Sequence, residues 1–275
     1  MKIDSHQHFW EFDPVRDAWI TDDMGVIRKD FVPEDLKPIL EKNGIDGCVA
    51  VQADQSEKET EFLLSLADKN PFIKGVVGWV DLKSDNLNER LSHYKQRSTF
   101  KGIRHILQAE SNGFMLDPGF IEGVSALHKH DLSYDILTTE EQLSEVSELI
   151  KLLPEIRLVI DHISKPDIKN QSFDHWAHCM KEISAHSHVY VKLSGMATEA
   201  DWKTWTVDDL KPYVDFCLEH FGSQRLMFGS DWPVCLVAAS YDRIYQSLLE
   251  CINELSADEQ NLIMGGTASN FYHLT

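Results

Sequence analysis

Short apolar or alternating runs are separated along this chain by longer stretches of helical period, and the alternation continues to the end. Such runs, rich in β-branched and aromatic side chains, read as strands. Eight are found, at residues 2–8, 47–52, 73–80, 102–106, 132–137, 156–162, 189–193 and 226–230. Between them, residues 57–69 set Phe62, Leu63, Leu66 and Ala67 on one stripe, and residues 140–153 do so with Leu143, Val146, Leu149, Ile150 and Leu153. That spacing is the mark of a helix packed on one face. Eight strand–helix units over a chain of this length predict an α/β fold, a closed parallel (β/α)8 TIM barrel, which takes about 250 residues. A doubly wound open sheet would alternate similarly. The strand count favours the barrel, and the G-x-G-x-x-G that opens many such sheets is absent after the first run, where His6 and His8 stand instead.

No internal repeat, low-complexity tract or Pro/Gly/Ser linker interrupts the pattern, so residues 1–275 are expected to form a single domain. The connection from residue 9 to 31 is long and carries Trp10, Phe12, Pro14 and Trp19. A loop of that length in a compact domain is usually functional or disordered, and its aromatics argue for an ordered cover over a site.

Composition narrows the function classes. The chain has 26 Lys plus Arg against 45 Asp plus Glu, a formal charge of −19, and no basic run. A duplex or an anionic membrane would repel such a surface, so neither is an expected partner, and a small molecule is. At 43% hydrophobic residues the chain has enough apolar material for a full core. Its five cysteines are scattered and never spaced as C-x-x-C, which speaks against a disulfide framework or a thiolate zinc site. No apolar stretch approaches the ~20 residues of a spanning helix. The first patterned segment begins at Met1 with no room for a signal peptide, so a cytoplasmic location is expected. Homo-oligomerisation is left open.

In a barrel of this kind the chemistry sits at the C-terminal ends of the strands. The first run ends in Asp4-Ser5-His6-Gln7-His8, and a two-residue period sends Asp4, His6 and His8 to one face. The sixth ends in Asp161-His162, the eighth in Gly229-Ser230-Asp231-Trp232-Pro233. Three imidazoles (His6, His8, His162) and one carboxylate (Asp231) are the ligand set of a single divalent ion, zinc above all. The same four groups suit metal-free acid/base work equally. Arg104, Lys165 and Lys192 also lie at or just beyond strand ends, either to hold a carboxylate or an oxyanion or to pair with Asp135 or Asp161 in the barrel wall. His105 faces away from Arg104. Seven further histidines (His93, His128, His130, His175, His178, His186 and His220) fall in helical segments and read as surface or cap residues.

Taken together, IDSHQHFW, KGIRHILQ, VIDHISKP, VYVKLSG and FGSDWPV resemble the amidohydrolase superfamily, in the amidohydrolase-related branch that includes sugar lactonases acting on fucono- and rhamnono-lactones. The resemblance spans essentially the whole chain. It implies a distorted (β/α)8 barrel that hydrolyses the ester bond of a small lactone ring. It assigns His6 and His8 to the branch's first-strand pair, His162 to its strand-six histidine, Asp231 to its final aspartate and Arg104 to a substrate contact. Lys165, Lys192, Trp79 and Trp232 are further candidate substrate contacts, the tryptophans by stacking on a sugar ring unless they simply pack. The fifth run, Leu132-Ser133-Tyr134-Asp135-Ile136-Leu137, holds no histidine or lysine, which argues against a binuclear centre. The competing reading is a metal-dependent decarboxylase of an aromatic acid built on the same residues.

Overall fold

All eight runs are strands in the computed structural model, which describes residues 1–275: β1 (Ile3–Gln7), β2 (Gly47–Val51), β3 (Ile73–Gly78), β4 (Phe100–His105), β5 (Ser133–Ile136), β6 (Leu158–Ile160), β7 (Val189–Leu193) and β8 (Leu226–Phe228). They pair in parallel and in sequence order as one sheet. Each is followed by an outer helix: Pro33–Asn43, Glu57–Lys69, Leu87–Tyr94, Pro118–Ala126, Leu143–Leu152, Asp174–Ser184, Val207–Phe221 and Tyr241–Cys251. The result is a distorted (β/α)8 barrel. No helix is long and apolar enough to cross a membrane, and all five cysteines are free and buried.

A parallel strand walled in on both faces must be apolar on both, and the two faces here form separate clusters. Outward positions such as Cys48, Ala50, Tyr134, Leu158, Val191 and Leu226 join the large core shared with the helices. Inward positions Val49, Val77, Val159 and Met227 pack with Ile3 and with Phe271 and Tyr272 from the C-terminal segment, which closes the barrel floor. Further along the strands the inward positions turn polar, with Asp135, Lys192, Asp161, Arg104 and His6 all buried.

The seam between β1 and β8 is the distortion. It carries one parallel bridge, Gln7 to Trp232. Two main-chain bonds flank it, His8 N–H to the Trp232 carbonyl at 2.7 Å and Asp231 N–H to the His6 carbonyl at 2.8 Å. Asp4 Oδ1 accepts from Ser230 N–H at 2.9 Å, and Ser5 Oγ donates to the Phe228 carbonyl at 2.6 Å. The long loop after β1 is clasped at its base, where Trp10 and Phe31 exchange both main-chain bonds at 3.0 and 2.9 Å. Trp10 Nε1 donates to the Lys29 carbonyl at 2.9 Å. The loop is thereby held as an ordered flap.

Candidate active site

Local departures from regular backbone aim the histidines. Along β1 the pairing with β2 advances three residues against two between Asp4 and Gln7. Such a bulge re-aims the side chains on either side of it. His6 and His8 consequently face inward with their Nε2 atoms 3.2 Å apart. Asp4 faces the other way, where its Oδ2 accepts from the Tyr241 hydroxyl at 3.0 Å. The even alternation expected from the sequence, with Asp4 beside the two histidines, therefore fails at the bulge. Burial raises the Asp4 carboxyl to about 6 against the bonds from Ser230, His6 and Tyr241.

At the end of β6 the chain turns left-handed through four consecutive non-glycine residues, His162, Ile163, Ser164 and Lys165, with φ of 53°, 47°, 60° and 48°. Each L-residue held there costs roughly 1–2 kcal/mol, so the turn persists only because its surroundings fix it. Trp176 Nε1 donates to the Ile163 carbonyl at 2.7 Å, and the Ser164 and Thr138 hydroxyls meet at 2.8 Å. Strand phase alone would aim Asp161 inward and His162 outward; the turn brings His162 back over the lumen. Gly195 makes room for it, since a Cβ there would lie 2.5 Å from His162 Nδ1 and the residue has φ +64°. Gly229 does the same for His6, whose Cβ would be 2.7 Å away.

Below these residues lies a sealed charge network. Lys192 Nζ is 2.6 Å from Asp135 Oδ2 and 2.9 Å from Asp161 Oδ1, and none of the three side chains is exposed. It is also 3.1 Å from His6 Nδ1. Tyr272 donates to Asp135 Oδ2 at 2.6 Å. Arg104 reaches Asp161 Oδ2 at 3.1 Å, the Gln52 carbonyl and His6 Nε2 at 3.3 Å. Burial raises the Asp135 carboxyl although Lys192 opposes it. For Asp161 burial acts in the same direction but is outweighed by Lys192, His6 and Arg104, which hold the group well below the usual carboxylate range.

The upper cluster is a carboxylate among buried imidazoles. Desolvation lowers His6 well below its ordinary value, against the pull of Asp161, and lowers His162 to about 4 against Asp231 and Asp161. Burial opposes ionisation of Asp231, but His162, His8 and His6 around it more than offset this and keep it below the usual range. Asp231 Oδ1 lies 3.3 Å from His8 Nε2 and 3.9 Å from both His6 Nε2 and His162 Nε2. At neutral pH this is an ionised carboxylate ready to accept a proton.

A cavity of about 300 Å³ opens above the cluster, lined by His8, His162, Asp231, Arg104 and Lys165 on its polar side and by Ile106, Ala109, Leu137 and Val234 on its apolar side. Trp10 and Trp19 of the β1 loop complete the wall. His6 lies beneath this surface, fully buried. Three sequence candidates lie elsewhere. Lys192 points into the lumen but is sealed under His6 by its two carboxylates. Trp232 is 2% exposed and packs edge-on to Phe9 and Phe31. Trp79 bonds His105 Nδ1 at 3.3 Å, on the outward face of the sheet. Asp161, taken from the sequence only as an ion-pair partner, proves to join Arg104, Lys192 and His6; its inward strand phase was the available signal.

The donor spacing is that of a divalent-ion site. Four ligands at ~2.0–2.1 Å in a tetrahedron stand about 3.3 Å apart. The His6–His8, His8–Asp231 and His6–Asp231 separations of 3.2, 3.3 and 3.9 Å fall close to that spacing. His8 Nδ1 lies 2.7 Å from the Val51 carbonyl and His162 Nδ1 lies 2.9 Å from Ser194 Oγ. Such outer partners fix the ring that presents Nε2 to a metal. His6, His8 and Asp231 fit one ion, and His162 stands beside them with its Nε2 3.9 Å from Asp231 Oδ1.

A family model described as amidohydrolase matches residues 3–274. A curated L-fucono-1,5-lactonase from Burkholderia multivorans is 40% identical, the alignment covering 100% of this chain and 96% of that protein. Another from Burkholderia ambifaria is 34% identical, covering 99% and 96%. The crystal structure of an amidohydrolase from Burkholderia multivorans with bound zinc matches with a TM-score of 0.96 at 39% identity over 100% of both chains.

Proposed function

The chain belongs to the amidohydrolase family, and on that premise we propose that, as one domain spanning residues 1–275, it uses water to open the lactone ring of a sugar acid, an L-fuconolactone being the first candidate. The observation that carries the reading is the ionised Asp231 set among three imidazoles at the floor of a cavity that also presents Arg104 and Lys165.

Asp231 takes a proton from the attacking water, and the oxygen adds to the lactone carbonyl carbon. His8 and His162, fixed by Val51 and Ser194, orient the water and the carbonyl. Arg104 and Lys165 steady the negative charge that develops on the carbonyl oxygen. As the carbon–oxygen bond of the ring breaks, Asp231 returns its proton to the departing ring oxygen. The products are a hydroxyl and a carboxylic acid, which loses a proton to solvent. Trp10 and Trp19 cover the ring and limit access of bulk water. His6, His8, His162 and Asp231 would hold a divalent ion, zinc fitting the donor types, and the chemistry it supplies is a water that gives up its proton near neutral pH.

The test is turnover of a panel of L- and D-aldonolactones followed by acid release. Proton release from L-fucono-1,5-lactone supports the reading. Carbon dioxide release from aromatic acids, with no lactone opened, would replace it by the decarboxylase alternative.

A further inference from the structure

Arg104 and Lys165 are the two cations on the cavity wall, and they differ in how far they are already engaged. Arg104, with its side chain 4% exposed, is tied to Asp161 and to the Gln52 carbonyl. Lys165 has one carboxylate partner, Glu199, at 3.7 Å from Nζ to Oε1, with the two side chains 24% and 27% exposed. That separation exceeds a good hydrogen bond, so the ammonium keeps donors to spare. Glu199 ends the short helix Met196–Glu199 after β7. Its carbonyl accepts from Lys169 N–H at 3.0 Å, so main chain docks the two loops together and Glu199 stands behind Lys165, which lines the cavity. Burial raises the Glu199 carboxyl, Lys165 opposes this, and the charge of Asp231 adds to the rise. Glu199 therefore feels the same floor of the cavity on which the reaction ends.

Resting on the lactonase reading, we propose that Glu199 is a positioning residue that acts through Lys165 to release the product: Lys165 exchanges Glu199 for the carboxylate formed on ring opening, and Glu199 then takes it back. The substrate is neutral and does not compete for the ammonium. The aldonate does, and it is created beside a carboxylate, Asp231, that repels it. A loose, partly exposed ion pair shifts an equilibrium by only about five-fold. The exchange is thus close to balance, which allows capture and release within one turnover.

The experiment compares wild type, Glu199→Gln, Lys165→Met and the double variant, measuring KM for L-fucono-1,5-lactone and the inhibition constant of added L-fuconate. With Glu199→Gln the inhibition constant should fall roughly five-fold while KM moves by less than about two-fold. Lys165→Met should raise it by a similar factor, and the double variant should match Lys165→Met. A Glu199→Gln inhibition constant within about two-fold of wild type, or one that moves in step with KM as a merely structural defect would make it, overturns the exchange. Wild type that opens no lactone overturns the functional reading and the exchange with it; lactone turnover with an unmoved inhibition constant overturns the exchange alone.

Discussion

Replacing Lys192 with Met removes the only cation held between Asp135 and Asp161, at 2.6 and 2.9 Å, in a place with no solvent exposure. Removing one partner of a buried ionic group costs about 3–5 kcal/mol, because the remaining charge is left without compensation. Against a total stability of roughly 5–15 kcal/mol that is a large share. At about 2–4 °C per kcal/mol for a chain of this size, Tm should fall by roughly 6–20 °C. The loss has a pH signature. In wild type the lowered Asp161 contributes stability that is present above its unfolded value and lost as pH falls through its folded one. Without Lys192 the buried Asp135, already raised, is raised further, so the deficit is greatest at alkaline pH and shrinks on acidification as it takes up a proton. Thermal melts at pH 5, 7 and 8 read both effects, and Lys192→Met/Asp135→Asn should recover much of the loss. A fall in Tm below ~2 °C, or a deficit that does not shrink toward pH 5, would refute the view that this lysine is a structural counter-ion under the site.

Three further outcomes follow from the same geometry. Asp231→Asn should keep the fold, as judged by circular dichroism, while kcat for lactone opening drops by roughly 10²–10⁴-fold, the usual worth of a general acid–base. Since desolvation holds His162 at about 4, the loss of activity that comes from protonating this ring should appear only near pH 4, and the pH profiles of wild type and His162→Gln should differ there. The unfolded chain protonates the same ring near 6.5, so denaturation midpoints should decline across that window as pH falls. Gly195→Ala forces a Cβ onto His162 and into a left-handed backbone; kcat should fall at least ten-fold and Tm by several degrees, and an unchanged kcat would show that His162 has room to move.

The barrel was legible because its signal is periodic. Eight runs and the stripes between them are set by alternation of side chains, and the structure moves their ends by only a few residues; β6 keeps Leu158–Ile160 where the pattern ran from 156 to 162, and β4 begins at Phe100 rather than 102. The meeting of His6, His8, His162 and Asp231 could be read too, since all four end their strands. Orientation could not. The bulge in β1 depends on pairing with β2, and no local residue announces that Asp4 will turn away from His6. The turn at 162–165 holds Ile163 in a region that a β-branched residue avoids, so propensity points away from the structure there. Lys192 has the same phase as a cavity-facing residue, and only its depth along the barrel, with acids on β5 and beyond β6, separates a counter-ion from a substrate contact.

The bonds that clasp β1 to the last strand run from His8 N–H to Trp232 and from Asp231 N–H to His6. They use the main chain of His6, His8 and Asp231, whose side chains meet in the upper cluster. Exchange of an imidazole or a carboxylate for another group therefore leaves the hoop fastened. A descendant of this chain can trade one reaction for another without first learning again how to close, which separates the search for new chemistry from the risk of losing the fold.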